Sequence, residues 1–342
     1  MSKKVVTFGE IMMRLQTPDY KRFIQANGFD MIFGGGEANV AVSLANFGLN
    51  AHFVTKIPNN PIGEACIAEL RKNNVQTNYI ARGGERLGIY FVEKGASVRA
   101  SNVVYDRAYS SISTAQDTDF NWDEIFSGAD WFHFTGITPA LSDGCAKLCE
   151  TACIKAKEKG VKISCDLNFR KKLWTTEKAG QVMGSLMKYV NVLIANEEDA
   201  EKVFGIKATN TDVTSGALSD EGYKDVCKQL VEKFGFDNVA ITLRESISAS
   251  INDWAGLLYD GKEFYKSKKY NINPIIDRVG GGDSFGGGLI YAMLSGYNNQ
   301  DSIDFAVAAS CLKHSIEGDF NLVSIKEVET LMKGDGSGRV QR

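Results

Sequence analysis

Short apolar runs return along this chain at intervals that a helix fills, and no other feature narrows its fold as far. The runs at 5–8, 51–57, 131–134, 161–165, 192–195 and 239–243 read as strands, and the amphipathic stretches at 37–47, 63–73, 143–159 and 220–234 read as helices between them. That alternation predicts an α/β chain with a mostly parallel central sheet covered by helices on both faces, a three-layer α/β/α arrangement. A length of 342 residues suits one such domain with a modest appendage.

Two stretches break the rhythm. In 12–33, and in 88–108 where Ile89, Phe91 and Val103 to Tyr105 alternate, the pattern is that of antiparallel strands, which predicts a small β-sheet lid. Further on, Asp260-Gly261 between apolar runs marks a hairpin within 250–265. Residues 334–342 are polar and glycine-rich and are expected to fray.

Hydrophobic residues make up 44% of the chain and charged residues 24%, an ordinary balance for a folded enzyme. The formal net charge of -3, with both signs mixed along the chain, provides no footprint for nucleic acid. No window is apolar enough to span a membrane, and the N-terminal segment has no cleavage-site pattern, so a cytoplasmic protein is expected. The seven cysteines do not form a secreted disulfide framework. Cys145, Cys149 and Cys153 fall on one helical face, and their apolar neighbours predict a buried stripe rather than a metal site.

Chemistry concentrates in Asp277-Arg278-Val279-Gly280-Gly281-Gly282-Asp283-Ser284-Phe285-Gly286-Gly287-Gly288, which opens an apolar helix. Gly280, Gly281 and Gly282 leave bare backbone N–H groups at a helix N-terminus, where the helix dipole favours an anion. A carboxylate at Asp283 would lie beside that anion, placed to accept a hydroxyl proton during phosphoryl transfer. A turn tightened for packing with Asp283 as a simple cap is the bland alternative. A second cluster, Gly34-Gly35-Gly36-Glu37-Ala38-Asn39, precedes another helix and could bring backbone and Asn39 to a polyol, or could be a plain strand-to-helix turn. Neither a Walker-type lysine loop nor a dinucleotide fingerprint after the first strand is present.

Both glycine clusters, in this order and separation, resemble the two signatures of the PfkB (ribokinase-like) carbohydrate kinase family, and the resemblance runs over nearly the whole chain. Within the family the sequence is most similar to kinases of 2-keto-3-deoxygluconate. The stretches that carry this likeness are Gly9-Glu10-Ile11-Met12, Tyr105-Asp106-Arg107-Ala108, Gly136-Ile137-Thr138-Pro139-Ala140-Leu141, Asp166-Leu167-Asn168-Phe169-Arg170 and Gly318-Asp319-Phe320.

The resemblance implies a ribokinase-like domain with a β lid, and Asp283 as general base with Gly280, Gly281 and Gly282 as anion hole. It implies Gly35, Asn39, Tyr90, Tyr105, Arg107, Arg170 and Asp319 around the sugar. Asn196, Thr242, Arg244 and Gly282 would meet the nucleotide, and Asp199 would approach magnesium through water, with Glu197 and Glu198 as alternatives. ATP and Mg²⁺ follow as cofactors, a monovalent cation is left open, and a homodimer through the lid is expected. An acid sugar needs a guanidinium partner, which Arg107 and Arg170 supply. Pairing of Arg107 with Asp106 and helix capping by Arg170 are the competing uses of those side chains. Other sugars of the family, a non-catalytic sugar-binding module and a dinucleotide-dependent oxidoreductase are the alternative functions.

Overall fold

Val5 and Val6 are adjacent, both fully buried, and belong to different hydrophobic cores. Their strand therefore lies in a sheet with both faces covered, and the rest of the architecture is built outward from it. The protein is described by a computed structural model, which covers residues 2–208, 220–334 and 336.

The strands are β1 (Lys4–Phe8), β2 (Met12–Gln16), β3 (Asp30–Gly34), β4 (Asn50–Ile57), β5 (Ile80–Arg82), β6 (Gly88–Glu93), β7 (Asn102–Asp106), β8 (Trp131–Thr135), β9 (Lys162–Asp166), β10 (Val192–Ala195), β11 (Asn238–Ser246), β12 (Asn252–Tyr259), β13 (Phe264–Lys266) and β14 (Tyr270–Ile272). Ten form one sheet in the order β13-β12-β11-β10-β9-β8-β1-β4-β5, with β14 also paired to β12. Pairing is parallel from β11 through β5 and antiparallel beyond β11.

One core joins Val5, Trp131, Val192 and Ile194 to the helices Gly36–Asn46, Gly281–Leu294 and Asn299–Lys313. The other joins Val6, Phe132, Phe134 and Leu193 to the helices Asp143–Glu158, Thr176–Met187 and Asp220–Phe234. Alternate residues of each strand feed alternate cores, which makes the three layers. Cys145, Cys149 and Cys153 sit in the buried face of Asp143–Glu158, and burial pushes all three thiols up from their ordinary value. No described helix is long and apolar enough to cross a membrane.

The six apolar runs correspond to β1, β4, β8, β9, β10 and β11, and the hairpin at Asp260-Gly261 joins β12 to β13. Sequence reasoning passed over β5 and β14, each three residues long. It also passed over Asn299–Lys313, whose buried residues include the unbroken run from Phe305 to Ser310. A helix buried on most sides has no polar stripe to betray its period. Asp335 and residues 337–342 of the predicted tail lie outside the described residues.

Four strands form a separate smaller sheet, β3-β2-β6-β7, with β2 parallel to β6 and the other pairs antiparallel. Met12, Arg14 and Gln16 share one face with Tyr90, and all four are buried. The opposite face carries Leu15, Met31, Phe91 and Val104, with Met31 48% and Val104 47% exposed.

Glu37 fixes the helix Gly36–Asn46 against the end of β8. Its Oε1 accepts hydrogen bonds from the Thr135 N–H at 2.9 Å, the Thr135 hydroxyl at 2.8 Å and the Thr138 hydroxyl at 2.6 Å. Burial pushes this carboxyl up to about 7, against the pull of those donors.

Candidate active site

Parallel strands end together, and the crevice beyond their carboxyl ends is where an open α/β sheet offers a ligand site. Here that crevice lies between the ends of β9, β10 and β11 and the inward face of the smaller sheet. It forms a cleft of about 810 Å³ lined by Asp166, Asn196, Thr242, Tyr90 and Asp283 among others.

The floor of the cleft is the start of the helix Gly281–Leu294. Gly280 adopts φ 81°, a left-handed turn, and a Cβ there would stand 2.0 Å from the Asp319 carbonyl oxygen. A Cβ on Gly281 would meet the His314 ring at 2.6 Å, whereas one on Gly282 would meet nothing within 4 Å. Packing thus demands glycine at the first two positions and leaves the third facing open space. The Gly281 N–H reaches the Arg278 carbonyl at 3.3 Å and the Ser284 N–H the Gly280 carbonyl at 2.8 Å. Among the described residues the Gly282 and Asp283 amides are left as the unmatched donors of the turn.

Asp283 is half-buried on that turn, and its Oδ2 accepts a hydrogen bond from Asn39 Nδ2 at 2.7 Å. Asn39 Oδ1 in turn accepts from the Gly35 N–H at 3.2 Å, so the two glycine clusters meet through this amide. Burial pushes the Asp283 carboxyl up to about 6, opposed by the Asn39 hydrogen bond and reinforced by Asp319.

Two more carboxylates converge, one from the end of β9 and one from the first turn of the helix Glu197–Phe204 that follows β10. Burial pushes Asp166, at the end of β9, well above the usual carboxylate range, and neighbouring Asp199 and Asp283 add to the effect. Asp199 is pushed up to about 6 by burial, against the hydrogen bond that its Oδ1 accepts from the Phe169 N–H at 3.1 Å. Asn196 caps the helix Glu197–Phe204, its side chain accepting from the Asp199 N–H at 2.8 Å. Glu198 is exposed, lines the cleft as well and pairs with Lys202 at 2.9 Å, and the side chain of Glu197 lies outside the described residues.

Crowded buried carboxylates are what a hard cation relieves. No group of three or more potential ligand side chains that could hold a metal occurs among the described residues. A pair of carboxylates nevertheless fits magnesium, which keeps several waters and takes its remaining ligands from a bound phosphate.

Arg14 backs two residues of the cleft lining, Asp319 and Tyr90. It is fully buried, donates to Asp319 Oδ1 at 2.6 Å and to Asp277 Oδ2 at 2.6 Å, and also meets Gln16. Burial works against its charge, yet Asp319 and Asp277 hold the guanidinium above its ordinary value. Tyr90 donates its hydroxyl to the other Asp319 oxygen. Sequence reasoning missed Arg14, although the alternation of β2 puts an arginine on the inward face between Met12 and Gln16.

Arg107 is held by Glu10 through both Nε, at 2.9 Å, and Nη2, and lies 5.5 Å from the Tyr105 ring centre. Asp106 instead pairs with Arg86 at 2.9 Å. Arg170 stands exposed on the loop after β9, and the following helix is capped by Thr175. Arg278 donates to the Ser248 and Ala249 carbonyls at 3.1 and 2.7 Å, beside Arg244 on the exposed end of β11.

Fifteen residues assigned to the site from sequence line this one cleft, namely Asp283, Gly280, Gly281, Gly282, Gly35, Asn39, Tyr90, Tyr105, Arg107, Arg170, Asp319, Asn196, Asp199, Thr242 and Arg244, as does the alternative Glu198. Asp166, Asn168, Trp254 and Arg278 join them without having been singled out as site residues. Asp166 is the one whose signal was readable, as an acid ending an apolar strand.

Comparison with known proteins converges on one family. The pfkB family carbohydrate kinase profile matches residues 2–322. A solved structure of 2-dehydro-3-deoxygluconokinase from Thermotoga maritima is 53% identical, with a TM-score of 0.94 over 98% of this chain and 99% of that one. The 2-dehydro-3-deoxygalactonokinase of Haloferax volcanii is 30% identical over 99% of both chains. The 2-dehydro-3-deoxygluconokinase of Thermoproteus tenax is 27% identical, covering 96% of this chain and 94% of the relative.

Proposed function

This chain belongs to the pfkB family of carbohydrate kinases, with the ribokinase-like fold of that family, and on that premise we propose that it transfers the γ-phosphoryl group of ATP to the terminal hydroxyl of 2-keto-3-deoxygluconate. The observation that carries the substrate is Arg107. Its guanidinium is locked by Glu10, backed by the Tyr105 ring, and faces the same cleft as Asp283. A neutral sugar has no use for a fixed cation there, whereas a sugar acid pairs its carboxylate with it. Arg170 offers a second guanidinium from the opposite wall.

The chemistry follows from the floor of the cleft. The sugar lies under the smaller sheet, which acts as a lid and excludes water, with its carboxylate on Arg107 and its terminal hydroxyl at Asp283. Asn39 holds the Asp283 carboxylate in position, and Asp283 takes the hydroxyl proton as that oxygen attacks the γ-phosphorus. The new oxygen–phosphorus bond forms as the bond to the β-phosphate oxygen breaks, leaving ADP. The unmatched amides at Gly282 and Asp283 face the charge on the transferring group. Asn196, Thr242 and Arg244 lie along the groove assigned to the nucleotide. Asp166 and Asp199 would hold magnesium through water, supplying charge neutralisation to the phosphates.

The Haloferax relative favours one rival substrate, the galactonate epimer. An ADP-release assay across 2-keto-3-deoxygluconate, its galactonate epimer, fructose and ribose tests the assignment. Turnover led by the gluconate acid is expected, and a preference for fructose or ribose overturns it. The outer face of the lid, with Leu15, Met31, Phe91 and Val104, is assigned to a second copy of the chain, which sedimentation analysis tests.

A further inference from the structure

Lys313, the last residue of the helix Asn299–Lys313, has no exposed surface at all. Among the described residues its ammonium makes no ion pair. It donates instead to three backbone carbonyls, those of Asp277 at 3.2 Å, Ile316 at 3.2 Å and Gly318 at 2.5 Å. Three donors meet three acceptors, which only the protonated amine can do, since a neutral amine has two N–H bonds and a lone pair. Burial pulls the group down from the ordinary lysine value, while Asp277 and Asp319 pull it back up.

A unit positive charge enclosed by backbone carbonyls is the environment that a desolvated potassium or ammonium ion occupies. The cage is formed by loops that shape the anion site. Asp277 begins the segment that turns at Gly280 into the catalytic helix, and Gly318 precedes Asp319, whose carbonyl lies flush against Gly280. The same Asp277 receives Arg14, the Gly318 N–H at 3.1 Å and the Val279 N–H at 3.1 Å through its side chain. Drawing the three carbonyls onto one centre therefore fixes the seat on which the Gly280 turn rests.

We propose that Lys313 is a built-in monovalent cation: a positioning residue that holds the Gly280–Asp283 turn in register and makes phosphoryl transfer independent of free potassium or ammonium. The lysine stem delivers the charge covalently, so the cage is filled without drawing an ion from solution.

The test compares the full-length wild type and Lys313→Ala in choline chloride, potassium chloride and ammonium chloride at constant ionic strength. Substrate is whichever sugar the panel above identifies, and wild-type ADP release in choline is established first, which separates this test from that of the substrate. Wild-type kcat is expected to be the same in all three salts. Lys313→Ala is expected to lose about 100-fold in kcat in choline, the effect of misplacing a reacting group by about 1 Å, with KM for the sugar little changed. Ammonium or potassium, entering the vacated cage, should restore about tenfold or more of that loss and raise the melting temperature of the variant but not of the wild type. Activation of the wild type by potassium overturns the proposal. So does a variant that is fully active in choline, or a loss that no cation repairs. Should Lys313→Ala fail to fold in choline, refolding is repeated with ammonium: recovery there supports the cage, and failure in both salts overturns it.

Discussion

Asn39 donates a 2.7 Å hydrogen bond to Asp283, and through it the first turns of two glycine-led helices face each other across the cleft floor. The bond aims one carboxylate oxygen and leaves the other toward the cleft. It also favours the charged form of a group that burial pushes up to about 6.

Asp283→Asn is expected to lower kcat by about 10²–10⁴-fold with little change in the ATP dissociation constant, because it removes the proton acceptor and keeps the shape. Steady-state ADP release and calorimetric ATP binding measure the two. Only the carboxylate form accepts a proton, so kcat/KM should be lost as pH falls through about 6. Asn39→Ala removes a donor to the charged form and should move that acid limb to higher pH.

The three glycines at the helix start should behave differently. Gly280→Ala forces a left-handed φ on a residue with a Cβ and drives that Cβ against the Asp319 carbonyl, so a loss of roughly 1–3 kcal/mol is expected in urea denaturation. Gly282→Ala meets no neighbour, and its stability should be kept or improved. Its turnover should nevertheless fall by about tenfold or more, since the methyl stands where an anion must approach the amide.

Arg107→Ala should raise KM for the acid sugar by about 10–100-fold, the worth of a charge-assisted hydrogen bond, and leave a neutral sugar of the panel unaffected. An equal loss for acid and neutral sugars would show that Arg107 serves only to hold Glu10 and the lid.

Arg14→Met strands two carboxylates in the interior and should cost about 3–5 kcal/mol of stability. Adding Asp277→Asn and Asp319→Asn removes the stranded charges and should recover part of it. Urea midpoints of the single and triple variants check both statements.

The amino-acid order by itself determined the layered fold, because strand-length apolar runs separated by helix-length amphipathic runs bury both sheet faces in only a few ways. It also located the glycine-led turns at Gly280 and Gly35, since backbone that must approach a ligand or pass flush against another chain segment excludes a Cβ. Local pattern carries that kind of information. Asn299–Lys313 escaped because a helix enclosed on most sides has no contrasting face.

Tertiary structure alone decided who meets whom. Arg107 finds Glu10 rather than the adjacent Asp106, Arg14 bridges Asp277 and Asp319 from far away in the chain, and Lys313 finds carbonyls instead of a carboxylate. Such partners are chosen by the closing of loops over a shared interior, where the cost of a lone charge depends on everything around it, and no short stretch of sequence records that surrounding.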